Sequence, residues 1–149
     1  MRRNYGNWLR RALCGGVTLR PVEAALMEGF VAGVPQEIGE PLAAQLKAIN
    51  CARRGRGGRE LRFERLRGLR ADRAGLPPLP VAGGATKLME VAFSVPGCER
   101  ALRAAFWAAD RQFARVEFSE DLGPFRDAVP RVTGVEASWQ AAILRARAP

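Results

Sequence analysis

Near residue 55 the hydrophobic pattern of this chain changes its period, and that change constrains the fold more than any other feature. Before it, apolar residues recur every three or four positions: Val22, Leu26 and Phe30, then Leu42, Leu46 and Ile49. After it they alternate: Leu61 and Phe63, then Met89, Val91, Phe93 and Val95. The first spacing lines one stripe of a helix, and the second lines one face of a strand. Helices followed by a run of strands define an α+β protein. The expected architecture is two to three N-terminal helices packed on an antiparallel sheet of about four strands.

Proline and glycine set the boundaries. Pro21 suits the first position of a helix, Glu23 suits its first turn, and Gly33 and Pro35 stop it. Ala25 and Met27 flank its apolar stripe. Pro41 does not belong deep in a helix, so a turn is expected at 35–39 and a main helix from about 40 to 53. Ala43 and Ala48 support its stripe. A short helix is also expected over 7–14, with Trp8, Leu9, Ala12 and Leu13 opposite Arg10 and Arg11. The stretch LRADRAGLPPLPVAGGA reads as a loop, and Pro96-Gly97 as a turn. A hairpin follows, with strands over 99–108 and 112–119 and a turn at Asp110-Arg111. Leu102, Ala104, Phe106, Val116 and Phe118 share its core face, with Phe106 and Phe118 as an aromatic cross-strand pair. Trp107 and Phe113 alternate away from that face and mark a hydrophobic interface or dimer seam if both are exposed. The tail VEASWQAAILRAR suits a strand or a short helix, and Trp139, Ile143 and Leu144 favour a docked helix.

A chain of 149 residues corresponds to one domain, 1–149, with residues 1–16 expected to form a basic N-terminal arm. No apolar run reaches the ~18–20 residues that span a bilayer. Arg10 and Arg11 interrupt the hydrophobic patch near the start, as no signal peptide allows. The chain reads as cytoplasmic, with no membrane partner. Cys14, Cys51 and Cys98 are odd in number and widely spaced, against both a disulfide framework and a zinc site.

There is no histidine. That removes the commonest general base, the commonest metal ligand and every Ser-His or Cys-His nucleophile. Two weaker candidates for chemistry remain. Cys98 follows a turn, and Glu117, Glu120 and Asp121 cluster at a strand end where carboxylates bind cations or move protons. The bland readings of both, a small apolar filler and a solvated strand terminus, fit the residues better. In GGATK, residues 83–87, the threonine precedes the lysine and a strand follows, so the phosphate-binding order is missing. No catalytic residue, metal or cofactor is expected.

Charge is the remaining signal. The net charge is +9, and arginine outnumbers lysine 22 to 2. A GC-rich genome explains arginine over lysine but not the excess over acids. The excess is local. Residues 1–20 carry five arginines and no acid, residues 53–73 carry nine arginines and three acids, and the rest is slightly acidic. The second stretch contains RRGRGGR, residues 53–59. It reads either as an adaptable cationic arm for a polyanion or as a helix C-cap and loop, with Arg53 and Arg54 at the helix end and Gly55 closing it.

The order LRPVEAALMEGFVAGVP, LAAQLKAINCARRGRGGRELRF, AAFWAADRQFARVEFSEDL resembles a loose group of small bacterial proteins of uncharacterised function. They share a proline-started helix, a second helix ending near an arginine, and a sheet closing on a Phe-Ser strand. The resemblance covers most of residues 17–121, implies an α+β fold and carries no activity.

The expected function is therefore that of a non-enzymatic adaptor or inhibitor-like protein. A basic surface of Arg2, Arg3, Arg10, Arg11, Arg53, Arg54, Arg56 and Arg59 engages an acidic protein partner. The alternative is a nucleic-acid-binding protein that uses Arg2, Arg3, Arg53, Arg54, Arg56 and Arg59 on phosphates, although interleaved aromatics for base stacking are nearly missing. A homodimer stays open.

Overall fold

The computed structural model describes residues 19–68 and 70–147. Helix α1, Pro21–Gly33, and helix α2, Gln36–Ala48, come first. Eight strands follow: β1 Cys51–Arg54, β2 Glu60–Glu64, β3 Leu66–Arg67, β4 Arg70–Ala71, β5 Ala85–Ser94, β6 Leu102–Ala109, β7 Gln112–Phe118 and β8 Arg131–Ala137. Helix α3, Trp139–Arg147, closes the described chain. Among the described residues six strands form one antiparallel sheet in the order β1-β2-β7-β6-β5-β8, and β3 and β4 make a separate small hairpin. The fold is α+β as expected. It has two more strands in the main sheet than expected, and its third described helix lies at the C-terminal end. The N-terminal helix expected over 7–14, with Arg2, Arg3, Arg10, Arg11 and Cys14, lies outside the described residues.

The register explains what is buried. On the helix-side face Leu61, Phe63, Val91, Phe93, Leu102, Ala104, Phe106, Val116 and Phe118 are all buried. They meet Val22, Leu26, Met27, Phe30, Ile38, Leu42 and Leu46 from α1 and α2. Phe30 stacks on Phe106 with ring centroids 4.2 Å apart. The aromatic partner of Phe106 is thus on a helix. Across the hairpin, Phe106 opposes Val116, and Phe118 opposes Ala104.

Three further expectations fail, each for a physical reason. Helix α2 begins at Gln36 and ends at Ala48, with Pro41 inside it. Pro41 lacks only one hydrogen bond there, to the first turn, and the apolar stripe of Ile38, Leu42 and Leu46 outweighs that loss. Residues 51–54 then form a strand, not the end of a helix. Finally, Phe113 is fully buried. Trp107 opposes Arg115, but Ala108 opposes Phe113, so Ala114 is an extra residue in β7. That bulge reverses the alternation and turns Phe113 inward. It lies 5.5 Å from Phe30 and 5.2 Å from Phe63 between ring centroids. Trp107 stays on the opposite face, half-buried. The two do not form a shared interface.

Two polar groups hold this arrangement from within. Gln45 of α2 is buried and uses its whole amide. Its Nε2 donates to the carbonyls of Pro77 and Arg111, and its Oε1 accepts from the Phe113 N–H. Arg73 turns inward and donates to the carbonyls of Phe63 and Phe113. These lie just past Arg62 and Arg115, the last pair of the β2–β7 ladder. The guanidinium fork thus replaces ladder bonds that the bulge removes. Burial pushes its pKa down, and nearby Glu64 opposes that shift.

Candidate functional site

RRGRGGR is neither an arm nor a helix cap. It is the tip of the β1–β2 hairpin. Arg53 opposes Arg62 and Arg54 opposes Leu61, so the two arginines point to opposite faces of the sheet. Arg54 points toward the helices, where Glu23 of α1 receives it. Arg54 Nε donates to Oε1 at 2.8 Å and Nη2 to Oε2 at 2.6 Å. The Glu23 side chain is only 2% exposed, and its Oε2 also accepts the Arg20 N–H at 2.8 Å. Arg53 points to the open face and lies 3.6 Å from Glu64.

The tip between them is ordered by its glycines. Gly57 and Gly58 have φ of 77° and 67°, a region glycine enters without steric cost. The Gly55 N–H donates to the Glu60 carbonyl at 2.9 Å, and the Gly58 N–H to the Gly55 carbonyl at 3.2 Å. The Phe118 N–H donates to the Arg59 carbonyl at 2.7 Å. Asp121 presses against Gly58 closely enough that an added Cβ there would lie 2.1 Å from its Oδ1. The same carboxylate lies 4.0 Å from Arg20 Nη1. Arg56 and Arg59 are exposed at the tip. Neither has an acidic partner among the described residues. The chain therefore enters the described structure, at Leu19 and Arg20, beside the tip of the hairpin.

The face of the sheet away from the helices is charged in rows. Lys87, Trp107, Arg115, Arg62 and Arg53 oppose one another across five strands. Glu136, Glu90, Ala105, Glu117 and Glu60 form a second row across five strands. Arg62 pairs with Glu60 at 2.7 Å, and Arg115 with Glu117 at 2.9 Å. Lys87 and Arg103 both reach Glu90, at 3.0 and 3.5 Å. The hydrogen bond and charge of Glu60 raise the Arg62 pKa. Lys87 Nζ and Arg115 Cζ lie 5.5 and 5.2 Å from the Trp107 ring centroid. An open groove of about 680 Å³ runs here past Glu60, Arg62, Phe63, Arg73, Arg115 and Glu117.

These rows decide what the open face attracts. Two residues along a strand span about 7 Å. That is within the Debye length of about 8 Å at physiological salt, so the acidic row cancels most of the field of the basic one. A phosphate chain laid along the arginines would meet carboxylates throughout. Arg56 and Arg59, at the hairpin tip, lie outside both rows and escape this cancellation.

The acidic cluster is dispersed in the same way. Glu117 faces Arg115, Glu120 pairs with Arg100 at 2.9 Å, and Asp121 accepts the Gly123 N–H at 2.8 Å. Among the described residues no group of three His, Cys, Asp or Glu residues is placed to hold a metal ion. Cys98 is half-buried and its Sγ contacts the Arg100 carbonyl at 3.6 Å, while Cys51 is buried. No described helix is long and apolar enough to cross a membrane.

The internal pairing of Arg53, Arg54 and Arg62 was hidden in the sequence. Its signal was alternation: in a hairpin, adjacent arginines face opposite ways, and acids at Glu60 and Glu64 stand at matching strand positions. Comparison with protein families, characterised proteins and solved structures finds no match to this chain.

Proposed function

We propose that this chain is a non-enzymatic binding protein that presents the β1–β2 tip, with Arg56 and Arg59, to an acidic protein partner. The observation that carries this reading is a difference within one motif. Arg54 is held by the buried Glu23 and Arg53 lies beside Glu64, while Arg56 and Arg59 are held outward on a hydrogen-bonded tip. Arg20 adds to the same end through its shared contact with Asp121. A preorganised guanidinium pair loses little freedom on meeting carboxylates, and steers an acidic surface during encounter. The row structure of the open face disfavours nucleic acid there.

The test is capture of partners by the wild-type protein and by Arg56→Glu/Arg59→Glu, with Arg70→Glu/Arg145→Glu, two exposed arginines away from the tip and from β8, as a control of equal net charge. Loss of a captured acidic protein in the tip variant alone supports the proposal. Equal loss in both variants reduces it to bulk charge. Salt-sensitive retardation of mixed RNA, lost in the tip variant while protein capture is unchanged, would overturn it in favour of nucleic acid.

A further inference from the structure

Strand β8 is the edge of the sheet beyond β5, and its residues are exposed apart from the half-buried Gly134. An open edge offers a row of unpaired backbone N–H and C=O groups. Val132 and Val135 on this edge are 49% and 59% exposed. They oppose Phe93 and Val91, so both lie on the helix-side face. Arg131 and Glu136 oppose Ser94 and Glu90, so both lie on the open face.

That phasing is unusual. In a regular strand, positions three or five residues apart point to opposite faces. Here Gly134 opposes Ala92 and Val132 opposes Phe93, which leaves Thr133 as an extra residue. The bulge shifts the alternation by one and gives the two halves of β8 matching faces.

We infer that β8 pairs with β8 of a second copy of this chain, antiparallel, about a twofold axis through residues 133 and 134. In that register Arg131 meets Glu136 of the second copy on the open face. Val132 meets Val135 of the second copy on the helix-side face. A twofold pairing requires opposed residues to share a face, and only the bulge makes these pairs do so. Bulges usually blunt an edge, but here each extra Thr133 stands opposite Gly134 of the second copy, next to the axis.

Charge supports the same occupant. The open-face charges of the inner strands have partners, including Lys87, Glu90, Arg103, Arg115, Glu117, Glu60 and Arg62. Arg131 and Glu136 have none among the described residues. Glu136 stands opposite Glu90, a like-charge pair that a cation from outside would relieve. A second copy supplies that cation twice, once on each side of the axis. The contact is isologous and closes on itself, so it gives a dimer and no filament.

The experiment is sedimentation velocity across a concentration series, with circular dichroism to confirm the fold of each variant. The wild-type chain is expected to dimerise below about 100 µM. Arg131→Glu or Glu136→Arg alone places like charges at both symmetric contacts and should weaken the dimer about tenfold. The combined exchange should restore the dissociation constant to within about threefold of wild type. Val132→Asp/Val135→Asp should be monomeric. A wild-type monomer throughout the series would overturn the inference and leave the edge to residues 1–18 or to a different protein. So would a dimer that ignores all four variants, or that dissociates on Trp107→Ala.

Discussion

Arg54 and Glu23 form a two-point ion pair, with Nε to Oε1 at 2.8 Å and Nη2 to Oε2 at 2.6 Å, between the tip end of the β1–β2 hairpin and the first turn of α1. It joins residues 31 positions apart at the place where the chain enters the described fold. Glu23 also receives the Arg20 N–H, so the one carboxylate serves as helix cap and hairpin anchor.

Breaking this pair from either side should cost more than removing it whole. Arg54→Ala leaves Glu23 charged and buried, and should destabilise the protein by about 3–5 kcal/mol. Replacing both, as Glu23→Leu with Arg54→Met, should cost less than about 2 kcal/mol because apolar groups of similar volume need no compensation. Urea unfolding of the single and double variants measures the difference. Equal costs for Arg54→Ala and the double change would show that the pair is an ordinary surface contact.

At the tip, two adjacent glycines are needed for different reasons. An added Cβ at Gly57 meets nothing within 4 Å, while one at Gly58 collides with Asp121. Gly57→Ala should cost about 1 kcal/mol from its positive φ alone, and Gly58→Ala about 2–3 kcal/mol. The ranking is read from thermal unfolding. A Gly58→Ala protein as stable as Gly57→Ala would mean that Asp121 does not seat the tip.

The two aromatic residues expected to share an interface should behave in opposite ways. Phe113→Ala empties a site packed against Phe30 and Phe63 and should cost about 3–5 kcal/mol. Trp107→Ala loses a half-buried ring and its contacts to Lys87 and Arg115, about 1–2 kcal/mol. Chemical denaturation separates them. Comparable costs would return Phe113 to the open face.

The helix and strand periods, the Asp110-Arg111 turn and most of the core were legible because each depends on neighbours in sequence. Asp110 and Arg111 do adopt positive φ, 48° and 66°, as the hairpin turn requires. What could not be read depends on register. One extra residue at Ala114 reverses Phe113, and one at Thr133 rephases β8, yet neither bulge leaves a mark in composition. The charge total was legible, but its distribution was not. Counting finds nine arginines in residues 53–73, and only the strand pairing shows that Arg53, Arg54 and Arg62 face internal carboxylates while Arg73 holds the sheet together.

The most direct test is amide hydrogen exchange at Gly55, Gly58 and Phe118, the donors that close the RRGRGGR hairpin tip. An ordered tip that holds Arg56 and Arg59 outward predicts exchange at least about a hundredfold slower than in an unstructured chain. Exchange at the unstructured rate at all three would contradict it and return the stretch to a freely moving chain.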